Sequence, residues 1–463
     1  MTRSKLFCGD PIGFGADPNT QVSPVSLAHP GTLPVMNKAV IDLAVKLGLA
    51  LNCSITQYNY FARKNYFYPD LPKGYQVSQD TAPICTGGHL NIATKTAAHK
   101  ILLNRIHMEE DAGKSIHDLE DGYSCIDLNR AGTPLLEIVT EPCLHSSEEA
   151  FAFLTSLRKL VRWLDVCDGN MEEGSMRCDA NISVRPAGES KLGTRVEVKN
   201  LNSIRNVKRA IEAESERLIA MLENGETIVQ QTRSFDADKG TTFALRNKEE
   251  ANDYRYFPEP DLPAFLISDE QIENTRAGMP MLPAALEEKY KMDYGLSNYD
   301  AALICNDKTD AAFYEQLVTG NNFFKAAANW MNGPLKAYCN EQQLTLQQLP
   351  LTIEQLAALI AFTESGQVSF SVASTRLLPA MIKQGGGDPL QLAQSLNLLQ
   401  ESDENQVLEW VQQTLQAMPD KVKEYRSGKK NLLGLFAGQV KKLSMGKADM
   451  PLVQKILEQE LNK

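Results

Sequence analysis

The stretch MRCDANISVRP, residues 176–186, alternates apolar and polar side chains along its length. A period of two is typical of a β-strand with one buried and one exposed face. Arg177, Asp179 and Asn181 would then lie side by side on the polar face of that strand. Residues 194–199 repeat the alternation, so this part of the chain predicts a sheet whose polar face carries charged groups.

Helices interrupt these strands. Ser146 and Glu149 have the spacing of a capping box, and an apolar stripe at helical spacing follows them. The stripe consists of Ala150, Phe153, Leu154, Leu157, Leu160, Val161 and Leu164. A second helix is predicted over residues 203–222, with Asn224 and Gly225 ending it. Strands and helices together predict an α+β domain with a mainly antiparallel sheet.

Proline-rich segments mark the end of this domain. Prolines cluster in residues 256–263 and 279–283, and from about residue 284 the pattern is almost wholly helical. The length of 463 residues favours about three domains. We predict residues 1–280 as the α+β domain, 281–395 as an all-helical domain and 396–463 as a small helical tail.

The bulk composition excludes several protein classes. With 43% hydrophobic and 23% charged residues the chain can form a core. Apolar stretches are short and broken by charge, which excludes a membrane-spanning helix, and no signal segment opens the chain. Nine cysteines are scattered without a CxxC pair, which favours reduced thiols over a zinc site. These features indicate a cytoplasmic protein without a membrane partner.

The charge is unevenly distributed. The net charge is -11, yet residues 421–463 carry ten Lys and Arg against four Asp and Glu. A basic tail on an acidic body fits a surface that contacts nucleic-acid phosphates. A solvated helical face is the alternative interpretation, and composition alone leaves both open.

Three acidic segments are candidates for chemistry. Glu137 interrupts the apolar run 135–139, where a charge is costly unless it is paired, metal-bound or turned outward to solvent. Residues 107–111 contain three consecutive acids, which predicts a bound cation or else a solvated turn. Asp179 shares its strand face with Arg177, a metal-binding acid beside a phosphate-binding base. Acids without His or Cys pairs favour Mg²⁺.

Two motifs are absent from the sequence. Residues 112–115 imitate the end of a phosphate-binding loop, but the required glycine is replaced by Met108, so there is no Walker A motif. No serine or cysteine nucleophile segment of a glutaminase is present. If the reaction uses ammonia from glutamine, another chain must supply it.

Five motifs in order resemble the family of B subunits of the tRNA-dependent glutamyl/aspartyl amidotransferases. They are RKNYFYPD at 63–70, DLNRAGTPLLE at 127–137, MEEGSMRCDAN at 171–181, EVKNLNS at 197–203 and DYRYFPEPD at 253–261. The end of the chain, residues 436–461, resembles the YqeY-like tail of the same family. Several motifs in one order are far more specific than any one of them.

The resemblance implies a glutamine-synthetase-like cradle, a helical domain and a YqeY-like tail that contacts tRNA. It also implies an ATP- and Mg²⁺-dependent ligase that activates the side-chain carboxylate of Glu-tRNA(Gln) or Asp-tRNA(Asn). An amidase A subunit would supply ammonia, and a small C subunit would join the two. Carried over motif by motif, Glu110, Glu137 and Asp179 would be the Mg²⁺ ligands. Lys64 and Arg177 would contact phosphate, with Tyr66 beside them.

One departure from the family pattern concerns the start. The family begins with a strand carrying Glu-Val-His upstream of the segment that lies here at residues 4–8. We therefore expect this chain to lack that strand and two metal ligands. The alternative hypothesis is a truncated, catalytically impaired adaptor that binds tRNA. A small-molecule ligase of the glutamine-synthetase type is a third hypothesis, against which the basic tail and the helical domain weigh.

Overall fold

The computed structural model describes residues 2–117, 119–247, 254–400 and 404–462. Backbone contacts divide the chain into two compact units, residues 1–282 and 283–463. The division lies two residues beyond the predicted domain end at 280. The further boundary at 395 stays a prediction.

The first unit contains all the strands that the structure describes and four helices. The strands are β1 (Ser54–Ile55), β2 (Tyr58–Asn59), β3 (Ala62–Asn65), β4 (Tyr75–Ser78), β5 (Cys85–Thr86), β6 (His89–Ala93), β7 (Ala98–Glu110), β8 (Lys114–Ile116), β9 (Cys125–Asp127), β10 (Pro134–Thr140), β11 (Ala180–Ile182), β12 (Val196–Lys199), β13 (Gln231–Asp236), β14 (Thr241–Asn247), β15 (Phe257–Pro258) and β16 (Phe265–Leu266). The helices are α1 (Lys38–Ala50), α2 (Ser147–Trp163), α3 (Ile204–Glu223) and α4 (Asp269–Ala277).

The largest sheet is built around β7, its longest strand. Its order is β1-β5-β7-β10, with β6 also paired to β7, and every pairing is antiparallel. Strand β10 pairs with β7 so that Glu137 lies opposite His107, and the register shifts at Val139 and Thr140. This register decides which acids face each other across the two strands.

The second sheet has the order β11-β12-β13-β14. Only β12 and β13 run parallel among the described strand pairs, so the predicted α+β fold with a mainly antiparallel sheet is confirmed. The strand predicted over 176–186 is shorter than expected and covers only Ala180–Ile182. Residues 171–176 form turns instead, with Gly174 at φ +75°. Ala180 and Ile182 are buried and Asn181 is exposed, as the alternation predicted.

The predicted helices α2 and α3 cover the sheets with their apolar faces. All seven residues of the predicted stripe in and after α2 are buried, and α3 ends at Asn224 and Gly225 as predicted. Ser146 caps α2 by accepting a hydrogen bond from the Glu149 N–H at 3.1 Å. The Glu149 carboxylate accepts from the His145 N–H and not from that of Ser146, so only half of the predicted capping box forms.

The described part of the second unit is helical. Its α-helices are α5 (Pro283–Met292), α6 (Asn298–Ile304), α7 (Lys308–Val318), α8 (Phe324–Trp330), α9 (Lys336–Gln342), α10 (Ile353–Glu364), α11 (Phe370–Val372), α12 (Leu378–Gln384), α13 (Pro389–Ser395), α14 (Glu404–Ala417), α15 (Pro419–Arg426), α16 (Leu433–Leu443) and α17 (Met450–Leu461). Short π-helical turns at Met331–Leu335 and Ala373–Leu377 join α8 to α9 and α11 to α12, and 3₁₀ turns lie at Leu346–Gln348 and Lys430–Leu432.

The last four helices share a hydrophobic core of their own. Val407 and Val411 of α14 pack with Val440 of α16 and with Ile456 and Leu457 of α17. This cluster makes the C-terminal segment a folded body and not an extended basic tail. No helix among the described residues is long and apolar enough to cross a membrane.

Gly48 in α1 permits a close approach between that helix and the sheet. A Cβ at Gly48 would lie 2.4 Å from the Cys85 Sγ and 2.9 Å from the Ile55 Cδ1. Replacing a mid-helix glycine with alanine normally stabilises a helix by about 1 kcal/mol. We predict that Gly48→Ala instead lowers the free energy of unfolding by about 1–2 kcal/mol, because overpacking outweighs helix propensity.

Urea unfolding of the chain tests this prediction. In the double variant Gly48→Ala/Cys85→Ala the sulfur is gone, so the two changes together should cost less than the sum of the single ones. A higher unfolding midpoint for Gly48→Ala alone would contradict the packing.

Candidate active site

Three residues on one face of the β7–β10 pair form an acidic centre. His107 and Glu109 are two apart on β7 and so point to the same side, and Glu137 lies opposite His107 on β10. The His107 Nε2 is 3.4 Å from the Glu137 Oε2 and 3.8 Å from the Glu109 Oε2. One ligand atom from each residue lies within 4.8 Å of the other two. We call this group the His107 centre.

The electrostatics of the His107 centre follow from its burial. His107 is buried and Glu137 is about half exposed. Burial lowers the pKa of His107, but hydrogen bonds with Glu109 and Glu137 outweigh it and raise the pKa to about 8. The hydrogen bond from His107 lowers the pKa of Glu137 in turn, and the positive charge of Lys64 adds to that effect. The imidazolium thus supplies the positive charge that two neighbouring carboxylates require.

The donor set of the centre fits a divalent cation. Two carboxylates on adjacent strands, at least one of them open to solvent, offer the oxygen ligands that Mg²⁺ prefers while leaving room for its waters. His107 would become a nitrogen donor only after losing its imidazolium proton, and Mn²⁺ and Zn²⁺ accept such a donor more readily than Mg²⁺ does. Its Nδ1 is buried without a hydrogen-bond partner among the described residues.

The structure does not bring the three predicted ligands together. Glu110 follows Glu109 on β7 and therefore points to the opposite face of the strand. There its carboxylate accepts hydrogen bonds from the Lys73 Nζ and, at 2.9 Å, from the Val77 N–H. In the part of the chain that the structure describes, the His107 centre is the group of three potential ligands within reach of one ion, and Glu110 and Asp179 lie outside it.

Asp179 is instead paired with Lys199. Asp179 immediately precedes β11 and Lys199 ends β12, so the antiparallel register brings the two residues together. The Lys199 Nζ donates to the Asp179 Oδ2 at 2.5 Å and also lies 3.2 Å from the Glu197 Oε1. An ion bound at Asp179 would have to displace this ammonium group.

Arg177 joins a cluster around Asp111 that the predicted site did not include. The buried Asp111 carboxylate accepts from the Arg177 Nη2 at 2.6 Å and from the Arg130 Nε. Arg130 also donates from its Nη2 to the Gly174 carbonyl at 2.6 Å. The half-exposed Arg177 therefore has a fixed position, as a phosphate-contacting residue needs.

Lys64 and Tyr66 lie in an aromatic cluster near the His107 centre. The Lys64 Nζ is 4.9 Å from the ring centre of Tyr254 and 5.7 Å from that of Tyr66. The Tyr66 hydroxyl donates to the Gln76 Oε1 at 3.3 Å. Burial, and then the charge of Glu109, raises the pKa of Tyr66. Tyr66 and Lys64 thus lie within electrostatic range of the carboxylates. Asp253, the first residue of the motif at 253–261, lies outside the described residues.

One open cavity of about 2450 Å³ connects most of these groups. The candidate residues among its lining are Tyr66, Glu109, Asp111, Arg130, Glu137, Arg177, Asp179 and Lys199. Lys64, His107 and Glu110 are not among the lining residues. Glu109, His107 and Arg130 are functional candidates that the sequence interpretation missed. Strand alternation over 107–111 could have separated Glu109 from Glu110, whereas nothing local indicated Arg130.

Comparisons with known proteins cover almost the whole chain. Residues 1–273 match the GatB/GatE catalytic domain family. Residues 312–461 match a second family, the GatB Yqey domain. The second match begins well before the predicted tail at 396. Each match falls wholly within one of the two compact units.

Individual relatives agree with the family matches. The chain is 48% identical over 463 residues to the B subunit of the aspartyl/glutamyl-tRNA(Asn/Gln) amidotransferase of Alkalilimnicola ehrlichii, covering 100% of this chain and 96% of that one. The B subunit of the same enzyme from Solidesulfovibrio magneticus is 46% identical, covering 99% and 96%, and that from Geotalea uraniireducens is 46% identical, covering 100% and 97%.

The charge coupling in the His107 centre makes a titration prediction. We predict that Glu137→Gln lowers the pKa of His107 from about 8, because one of the two hydrogen bonds that stabilise the imidazolium loses its negative charge while burial continues to oppose protonation. NMR titration of histidine-labelled protein in the presence of a chelator measures it. Glu149→Gln, which alters the neighbourhood of His99, is the matched control and should leave His107 unchanged. An unaltered His107 pKa in Glu137→Gln would contradict the pairing.

Proposed function

This chain belongs to the GatB family, and we propose that it uses ATP to activate the side-chain carboxylate of Glu-tRNA(Gln) or Asp-tRNA(Asn) for amidation. The observation that carries the proposal is that Glu109 and Glu137 of the His107 centre line the same large cavity as Arg177. Two carboxylates for a cation and a guanidinium group for phosphate are parts that phosphoryl transfer requires.

The chemistry divides into two displacements. A carboxylate oxygen of the substrate attacks the terminal phosphorus of ATP, and ADP leaves. Ammonia then attacks the acyl carbon of the resulting acyl phosphate, and inorganic phosphate leaves. A carboxylate alone is a poor electrophile, and the phosphate supplies the leaving group that ammonia can displace.

Each candidate residue has a role in this proposal. The carboxylates of Glu109 and Glu137 would hold Mg²⁺, which neutralises phosphate charge when it is bound, and His107 would give up its proton as the ion enters. Arg177 would contact the transferred phosphate from the cavity wall. Lys64, which lies against the Tyr66 ring, would lower the negative potential around Glu137.

Two predicted ligands take other roles. Glu110 holds β4 against β7 through Lys73 and Val77, and in this proposal Glu109 takes the ion-binding role predicted for it. Asp179 orients Lys199 toward the cavity, where the ammonium group is available to an anionic substrate.

The proposal includes partners that the chain itself does not provide. With no glutaminase nucleophile in the sequence, ammonia would come from glutamine through an amidase A subunit, and a small C subunit would join the two. The enzyme would then be a ligase that forms carbon–nitrogen bonds with glutamine as the amide donor. Because its substrates would be ATP and tRNA, we expect the activity in the cytoplasm.

The adaptor hypothesis has less in its favour. A tRNA-binding adaptor without catalysis would have no need of an ordered acid centre, whereas the His107 centre has both carboxylates and a charged histidine. The chain also spans at least 96% of the length of the relatives compared.

Replacing one carboxylate of the centre with an amide tests its role in ATP-dependent activation of the substrate. We predict that Glu109→Gln or Glu137→Gln lowers the rate of ATP-dependent amidation at least about 100-fold, because an amide cannot supply the anionic oxygen that stabilises the ion. Binding of tRNA should stay within about two-fold, since the substitutions keep volume and lie in the first unit.

Glu110→Gln separates the two assignments. It should lower the midpoint of thermal unfolding, because Lys73 loses its partner, without raising the Mg²⁺ concentration needed for half-maximal rate. The assignment is contradicted if Glu109→Gln keeps the parent rate and Glu110→Gln changes the Mg²⁺ requirement. Glu110 would then be the Mg²⁺ ligand, as the sequence predicts.

The C-terminal helices should supply the salt-sensitive part of tRNA affinity. Lys441 and Lys442 in α16 and Lys455 in α17 are exposed. We predict that replacing all three with alanine flattens the slope of log K against log salt by about 2 to 3, the expected change for three lost phosphate contacts. Deletion of residues 421–463 would be less informative, because it removes Val440 and Ile456 from the core around Val407.

Replacement of the same three lysines by arginine is the control and should preserve the slope. An unchanged slope in the alanine variant would show that these lysines form a solvated face only.

A further inference from the structure

The cluster around Asp111 joins three segments of the first unit. Asp111 directly follows β7, Arg130 precedes β10, and Arg177 precedes β11. The Asp111 Oδ2 accepts from both guanidinium groups, and its Oδ1 accepts from the Ala112 N–H at 2.9 Å. Asp111 itself is buried, with its side chain 7% exposed.

Charge in this cluster does not balance. One carboxylate faces two guanidinium groups, which leaves one positive charge, and both arginines line the cavity. Within the described parts of the chain, Arg177 makes no side-chain hydrogen bond besides that to Asp111, so most of its five donors are available.

A second group in the same unit also consists of one carboxylate between two arginines, but it lies away from the cavity. The fully buried Glu214 binds Arg217 at 2.5 Å and Arg233 at 3.3 Å. None of these three residues lines the cavity. Arg217 and Arg233 are 27% and 11% exposed, against 35% for Arg130 and 52% for Arg177. The Glu214 group is therefore a packing arrangement, and the Asp111 cluster differs in presenting its charge to a cavity.

The backbone beside Arg130 is also adapted to the cluster. Gly174 has φ +75°, and a Cβ there would lie 2.7 Å from the Arg130 Nη1. A side chain at this position would have to push the guanidinium group away from Asp111. The turn at 171–176 thus leaves space for Arg130 and accepts its hydrogen bond through the Gly174 carbonyl.

We propose that Arg130 and Arg177 form a binding site for a phosphate-type oxyanion, with Asp111 as the residue that positions both guanidinium groups. This inference rests on the proposed function, because it places the anion in the same cavity as the His107 centre. Asp111 occupies one N–H of each arginine, and the remaining donors can bind an anion in the forked geometry that suits phosphate.

The phosphate group at this site could come from either of two sources, the polyphosphate of a nucleotide or the backbone of the substrate tRNA.

The test uses the chain in complex with its partner subunits and measures KM for ATP, KM for the aminoacyl-tRNA, kcat and the midpoint of thermal unfolding. Arg130→Ala and Asp111→Asn are the variants, and Glu214→Gln is the matched control.

We expect Arg130→Ala to raise KM for one of the two substrates roughly 10- to 100-fold, the size of a lost charge-assisted hydrogen bond. A raised KM for ATP assigns the nucleotide, and a raised KM for the aminoacyl-tRNA assigns the tRNA phosphate. Asp111→Asn should raise the same KM by a smaller factor, since both arginines remain but are no longer held. Glu214→Gln should lower the unfolding midpoint and leave both KM values unchanged.

A second measurement needs no turnover. Inorganic pyrophosphate should raise the unfolding midpoint of the parent complex, and do so less in Arg130→Ala and Arg130→Lys. Lysine keeps the charge without the fork, which guards against a variant that simply fails to fold.

The inference is overturned if Arg130→Ala and Asp111→Asn lower the unfolding midpoint as Glu214→Gln does while neither KM nor the pyrophosphate response changes. The cluster would then be a second packing arrangement. Failure of the proposed function is a separate outcome, since the parent complex would then show no ATP-dependent amidation while the pyrophosphate response still reports on the anion site.

Discussion

The pairing of β10 with β7 in one register is the constraint on which the candidate site depends. Glu137 faces His107 because these two residues are cross-strand partners. A slip of one residue would turn Glu137 to the other face of the sheet and leave two carboxylates on different sides. Leu136 and Ile138, on either side of Glu137 in β10, are partly buried against the core, and this packing favours the observed register.

The two faces of β7 near its end have different tasks. Glu109 belongs to the His107 centre and lines the cavity. Glu110, one residue later, accepts hydrogen bonds from Lys73 and from the Val77 N–H, and so links β7 to β4. Asp111 follows the strand and accepts hydrogen bonds from two arginines that are distant in the sequence. Three consecutive acids thus avoid mutual repulsion by pointing to three sets of cationic partners.

Three acids of the cavity wall are paired with bases. Asp179 has Lys199, Asp111 has its two arginines and Glu137 has the His107 imidazolium. Pairing matters most for the buried Asp111, where an unpaired charge would cost several kcal/mol, and less for the half-exposed Glu137 and Asp179. An incoming anion or cation therefore exchanges partners with groups that already have fixed positions. Charged groups held in this way are preorganised for a charged substrate.

The periodicity of the sequence by itself determined the fold class, the helices α2 and α3 and the helical second unit, because burial patterns of period 2 and 3.6 are local properties. It also determined the family, through motifs whose order is specific. It did not determine which acids share a site. Glu110 and Asp179 carry the right chemical groups, but strand alternation turns Glu110 to the other face of β7, and Asp179 is paired with Lys199. The approach of Arg130 to Asp111 depends on a turn at Gly174 far along the chain. Only the tertiary structure decided these contacts, because they depend on which strands and loops become neighbours, and no residue pattern within a single segment carries that information.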